Sequence, residues 1–210
     1  MKTRVLQQEG AHAMTTTNQA GRNFMAGTRE YSRKPFPRFY WVVPGKICAG
    51  AYPGDRDEQA MMNKLQGLID CGVRHVINLM EPSETDHEGR PFTDYMEMLN
   101  ILGARRGAKV WSKRFPIRDV SVPTRELMKA ILDDIDESIS RDRPVFVHCW
   151  GGKGRTGTVV GCFLARHGIA QGKDALAMIS RLRLNDPRAH EPSPETPAQR
   201  DMVVSWEKGE

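Results

Sequence analysis

Long apolar runs are missing from this 210-residue chain, and with them any candidate for a helix that crosses a bilayer. The first residues, MKTRVLQQEGAHAMTTTNQAGRNF, start positively but contain no apolar h-region, so a secretory signal is not expected. The four cysteines, Cys48, Cys71, Cys149 and Cys162, form no CxxC pair of the kind that holds a metal. Scattered thiols of this sort fit a reducing cytoplasm. No internal repeat is visible. Most of the chain also lacks net charge. Residues 1–38 hold seven Lys/Arg and two Asp/Glu, which accounts for the whole net charge of +5, and the remainder balances 24 basic against 24 acidic residues. The folded body is therefore not expected to bind nucleic acid. Residues 1–37 read as a basic tail rich in Thr, Asn, Gln and Gly, disordered and solvated, with contact to an acidic surface as the alternative role. One domain is expected over residues 38–210.

Within that domain strands alternate with helices. Two β-prone runs flank Pro44-Gly45 in RFYWVVPGKICAG. DEQAMMNKLQGLIDCG spaces Met61, Met62, Leu65, Leu68 and Ile69 as a helix does, and Gly72 stops it. VRHVINL (73–79) reads as a strand, EPSETDHEGRP as a loop, and FTDYMEMLNILG as a helix ending at Gly103. VWSKRFPI (110–117) is extended and RDVSVP a loop. TRELMKAILDDIDESIS (124–140) is amphipathic, with Leu127, Ile131, Ile135 and Ile139 on one face. PVFVH is apolar throughout, as a buried strand is. RTGTVVGCFLARHG, KDALAMISRLR and TPAQRDMVVSWEKG read as three more helices. The spacing of Gly157 and Gly161 points to close packing of one helix face, with Cys162 a small core residue beside them. The pattern predicts an α/β fold with a central, mostly parallel sheet flanked by helices on both faces.

The chemistry concentrates in HCWGGKGRT, residues 148–156. A strand, a glycine-rich loop and a helix follow one another here. Such a loop turns successive N–H groups into one concavity at a helix N-terminus, which suits an anion. Trp150, Gly151, Gly152, Lys153 and Gly154 form its rim. Arg155 opens the helix, and its planar fork can hold two phosphate oxygens at once. Cys149 lies at the floor, where the same amides and the helix dipole favour a thiolate. A thiolate beneath a bound phosphate can attack phosphorus. Asp86, His87 and Glu88 are adjacent in a loop, a poor geometry for metal ligands, and neither a metal nor a cofactor is expected.

HCWGGKGRTG resembles the His-Cys-x5-Arg-Ser/Thr signature of the cysteine-based protein tyrosine and dual-specificity phosphatases. The likeness runs from about residue 40 to 207. Within that superfamily the chain is most similar to the compact dual-specificity group that includes the cyclin-dependent kinase-associated and Cdc14-like phosphatases. FPIRDVSVP resembles the acid loop of that group, which implies that Asp119 protonates the leaving oxygen and later takes a proton from water. From the residues alone, Asp119 reads equally as an exposed turn or a helix cap. The resemblance further implies that the Thr156 hydroxyl bonds the thiolate, that His148 positions the loop, and that Gln199 lies by the active site and helps place water. A plain surface role is the alternative for Gln199. The GKGRT form also resembles phosphoinositide 3-phosphatases, which would put Lys153 on additional substrate phosphates, its alternative being solvent or a nearby acid. The expected activity is hydrolysis of phosphotyrosine, phosphoserine or phosphothreonine in proteins through a phosphocysteine. A phosphoinositide or inositol phosphate substrate is the alternative, and a phosphopeptide-binding pseudophosphatase or a rhodanese-type sulfurtransferase the minor ones. The partner is then a phosphorylated protein or a small phosphorylated molecule.

Overall fold

The computed structural model describes residues 34–210, so the expected tail lies almost wholly outside the described residues. Four of the described residues, Lys34, Pro35, Phe36 and Pro37, precede the expected domain start. Phe36 is buried and meets Phe39 and Phe146 edge-on, so it belongs to the core.

Five strands form one sheet: β1 (Phe39–Val43), β2 (Ile47–Gly50), β3 (His75–Asn78), β4 (Trp111–Arg114) and β5 (Val145–His148), in the order β1-β2-β5-β3-β4. β1 and β2 make an antiparallel hairpin through Gly45, whose φ is +71°. The remaining pairings are parallel. β5 is central because VFVH is buried at every position, and a strand covered on both faces needs no polar side. β4 is an edge, and its WSKR side chains face outward as the exposed charges of an edge strand should. The extended pairing outlasts β4, with Phe115 N donating to Asn78 O at 2.9 Å and Ile117 N to Leu79 O at 3.1 Å. That continuation carries the chain to the acid loop.

Helices α1 (Glu58–Asp70) and α2 (Met96–Arg105) cover one face. Helices α3 (Arg125–Ser140), α4 (Arg155–Arg166), α5 (Gly172–Leu182) and α6 (Pro197–Val204) cover the other. The strand period divides the core between them: Phe146 and Val76 pack with Leu65 and Leu99, while Val147 and Ile77 pack with Ile131 and Val160. The predicted α/β class and helix-covered sheet are therefore observed. The close packing expected of α4 is also present. A Cβ on Gly161 would lie 2.5 Å from a Val203 methyl of α6, and one on Gly157 would overlap the Ser193 hydroxyl. Cys162 is a buried core residue.

Two helix ends differ from the sequence reading. α2 starts at Met96 rather than Phe92, because Asp94 accepts the Met96 N–H at 2.9 Å and Phe92 packs edge-on against Tyr52 and Trp150 instead. α6 stops at Val204, and Trp206 turns back into the core with 2% exposure. Burial of one large aromatic outweighs a few more helical hydrogen bonds in water.

Candidate active site

β5 ends at His148 and α4 begins at Arg155, so the six residues between them hang off the centre of the sheet. Gly152 makes the turn possible. Its φ is +69°, and a Cβ there would sit 2.5 Å from both Ala51 N and Gly50 C, at the end of β2. The loop's carbonyls are tied outward. Cys149 O accepts from His148 Nδ1 at 3.2 Å, Trp150 O from Tyr52 N at 3.0 Å, and Gly151 O from the Arg38 guanidinium. Lys153 O accepts from Ser193 Oγ at 2.7 Å and Gly154 O from Thr158 Oγ1 at 2.9 Å. In a planar trans peptide the N–H opposes the C=O, so the following amides face the loop's interior. That interior holds Cys149, which is 2% exposed.

His148 is fully buried and its pKa is pushed down to about 3, by burial first, with the Cys149 carbonyl acting the other way. It is neutral at any working pH. A carbonyl can only accept, so Nδ1 carries the proton, and Nε2 accepts from Tyr95 Oη at 2.5 Å. The imidazole thus bridges a tyrosine and a main-chain oxygen of the loop.

Arg155 is 1% exposed, and its charge is met by acids. The end of its fork grips Glu84, Nη1 to Oε2 at 2.6 Å and Nη2 to Oε1 at 2.8 Å. Nη1 also donates to Ile117 O at 3.0 Å. Burial disfavours the cation, but Glu84 and neighbouring negative charge overcome that and raise the Arg155 pKa. The other edge of the guanidinium, Nε and the outer N–H of Nη2, faces the loop. Nη2 pairs there with Asp119 Oδ1 at 2.8 Å, and the buried Nε has no hydrogen-bond partner. The buried hydroxyl of Thr156 is likewise without one. Buried polar groups are normally satisfied, and these two orphans at the start of α4 are available to a bound oxyanion or a thiolate.

Asp119 follows the extended run beyond β4 and is half exposed at the mouth of the cleft. The next residue, Val120, has φ +53°, a left-handed conformation that a β-branched side chain rarely adopts. Gln199 is not a surface residue. It is fully buried, its Oε1 accepts from Glu195 N and Thr196 N at 3.1 Å each, and its Nε2 donates to Ser121 O at 3.0 Å. It ties the acid loop to the start of α6 and lies against Gly154 of the anion-binding loop. Lys153 has the acidic partners that were the alternative to a substrate contact. Its ammonium pairs with Glu191 Oε2 at 2.6 Å and Glu195 Oε1 at 2.8 Å.

Cys149, Asp119, Val120, Trp150 and Arg188 line a cleft of about 340 Å³. Trp150 forms one wall with His87, ring centres 4.4 Å apart. Asp86 accepts the N–H groups of Glu88 and Arg90 at 2.9 Å each, so it organises its own loop. Among the described residues no group of three or more His, Cys, Asp or Glu could hold a metal ion. Glu84 and Tyr95 were missed by the sequence reading. Glu84 is one acid among several in EPSETDHEGRP, and nothing in its spacing marks it.

A strand-loop-helix of this construction, on a sheet of this order, is the architecture of the dual-specificity and protein tyrosine phosphatase domains. Residues 36–203 match the family model PTP-SAK, described as "Swiss Army Knife protein, DSP-PTPase phosphatase domain", and the chain belongs to that family. The phosphatidylinositol 3,4,5-trisphosphate 3-phosphatase and protein-tyrosine-phosphatase PTEN1 of Arabidopsis thaliana is 30% identical over 166 residues, 78% of this chain and 36% of that protein. The match spans about a third of the length of the curated relatives. Among solved structures, PTPMT1 in complex with PI(5)P superposes with a TM-score of 0.58 at 19% identity, over 80% of this chain and 93% of that one. Kinase associated phosphatase (KAP) gives 0.57 at 16% identity, over 79% and 90%. These two share the fold.

Proposed function

We propose that the protein is a cysteine-dependent phosphomonoesterase of dual-specificity type, acting on phosphotyrosine, phosphoserine and phosphothreonine in proteins. The observation that carries this reading is the free edge of Arg155. Glu84 holds the end of the fork, so Nε and Nη2 can bind two oxygens of a phosphate side-on, displacing Asp119 from Nη2. The inward amides take the remaining oxygens. The Cys149 thiolate then attacks phosphorus, a P–S bond forms, and the P–O bond breaks with protonation of the leaving oxygen by Asp119. Next Asp119 removes a proton from water, the resulting hydroxide attacks phosphorus, and the P–S electrons return to sulfur. The Thr156 hydroxyl is available to stabilise that sulfur. Thiolate chemistry requires a reducing environment, and we place the protein in the cytoplasm.

Cys149→Ser tests the reading. Hydrolysis of para-nitrophenyl phosphate should disappear while phosphate or tungstate still binds, because the amides and Arg155 remain. Activity above a few per cent of wild type would refute the covalent mechanism. A phosphoinositide or inositol phosphate substrate is the second reading, supported by the 3-phosphatase named in PTEN1, the PI(5)P complex of PTPMT1 and the GKGRT loop. The engagement of Lys153 by two carboxylates weighs against it.

A further inference from the structure

The lysine of the anion-binding loop does not point unpaired into the cleft. Its ammonium is held within 2.8 Å of two carboxylates, Glu191 and Glu195, and all three side chains are at least two-thirds covered. Both acids stand on an anchored main chain. The carbonyl of Glu191 accepts from the buried Arg183 guanidinium at 3.1 Å, and the N–H of Glu195 donates to the buried Gln199 at 3.1 Å. The segment between them is anchored to the loop itself by Ser193 Oγ on Lys153 O at 2.7 Å. The other cations of the cleft rim also have acids. Arg188 Nε lies 3.7 Å from Glu191, and Arg38 Nε 3.8 Å from Asp186. Lys153 therefore offers a second phosphate no unpaired charge. Such a phosphate would have to separate Lys153 from two carboxylates and then lie beside them.

We infer that Glu191 and Glu195 are specificity residues that occupy Lys153 and turn this site against polyphosphorylated substrates, leaving singly phosphorylated side chains as its substrate class. The inference rests on the phosphatase reading for the site it restricts. It concerns the segment between α5 and α6, which hydrogen-bonds the loop at Lys153 O and whose Glu195 lines the cleft.

Calorimetry in the Cys149→Ser protein tests it, with inositol hexakisphosphate as the polyphosphate probe and inorganic phosphate as the single-phosphate control. The readout is the ratio of the two affinities. Glu191→Gln with Glu195→Gln should raise that ratio about tenfold, the worth of one released charge-assisted contact. Adding Lys153→Ala should return it to the starting value. Lys153→Ala alone should change it less than about threefold, because the lysine is already engaged. No rise in the double variant, a rise that survives Lys153→Ala, or a tenfold loss from Lys153→Ala alone each overturns the inference. The single variant decides the matter even where the double variant does not fold. Failure of the phosphatase reading shows elsewhere, as absent para-nitrophenyl phosphate turnover by the wild-type protein.

Discussion

Glu84→Gln separates a carboxylate that aims the catalytic arginine from one that merely fills space. Glu84 is 10% exposed and makes two contacts to Arg155, at 2.6 and 2.8 Å. Glutamine keeps one acceptor oxygen and turns an NH₂ group toward a guanidinium N–H. One charge-assisted hydrogen bond is lost, roughly 1.5–3 kcal/mol, and the buried cation of Arg155 keeps Asp119 and Ile117 O as partial compensation. A net loss of about 2–3 kcal/mol is expected, short of the roughly 3–5 kcal/mol for a buried ion fully stripped of its partner. In a domain of this size that corresponds to a fall in Tm of about 4–12 °C. The freed fork no longer presents Nε and Nη2 in one plane to the phosphate. Loss of about one of those two bonds predicts a drop in kcat/KM of about a hundredfold. In the proposed mechanism the arginine holds the transferred phosphoryl group and not the leaving group, so para-nitrophenyl phosphate and an alkyl phosphate should lose activity equally. Thermal melts and steady-state kinetics on both substrates are sufficient. A lowered Tm with kcat/KM within threefold of wild type would show that Glu84 stabilises the fold without aiming Arg155. A loss that depends on the leaving group would assign it to proton transfer instead.

Asp119→Ala should show the opposite pattern, a much larger loss on alkyl phosphates than on para-nitrophenyl phosphate, whose leaving group needs little help from an acid; equal losses would remove Asp119 from that role. His148 predicts a pH dependence of stability. Its folded pKa of about 3 lies below the ordinary 6.5, so the unfolded chain takes up a proton first as pH falls. This contribution is nil above pH 6.5 and grows as pH drops toward 3, costing about 2 kcal/mol at pH 5. His148→Gln should flatten that part of a denaturation-versus-pH curve, and parallel curves would refute the assignment. Val120→Gly relieves a left-handed β-branched residue, worth roughly 1–3 kcal/mol, against a glycine entropy cost of roughly 0.5–1 kcal/mol. A net gain in unfolding free energy of about 1 kcal/mol should appear in urea titrations, and a loss would show that the loop tolerates valine without strain.

Much of the molecule was legible because local signals and the fold agree. The apolar VFVH, the amphipathic face of α3 and the glycines of HCWGGKGRT each dictate one local structure, and together they place a thiol, an amide cradle and an arginine at the end of a central strand. Asp119 was legible by resemblance to an acid loop, since an Asp before Val-Ser-Val-Pro reads equally well as a turn. The partners of these groups come from sequence-distant segments. Glu84 meets Arg155 across 71 residues, Tyr95 meets His148 across 53, and Glu191 meets Lys153 across 38. Nothing in the local pattern distinguishes Glu84 from Glu81 or Glu88, because an acid in a polar loop acquires its meaning only from the charge that folding sets against it. Lys153 and Gln199 show the same limit from the other side. Their residue types suit substrate or water, and only the packing of the segment before α6 decides that their hydrogen bonds go to the protein. The sequence alone determined the chemistry at the floor of the loop, because that chemistry lies within nine consecutive residues. The tertiary structure decided which charges remain available to a substrate, because compensation between charges depends on distance in space and not along the chain.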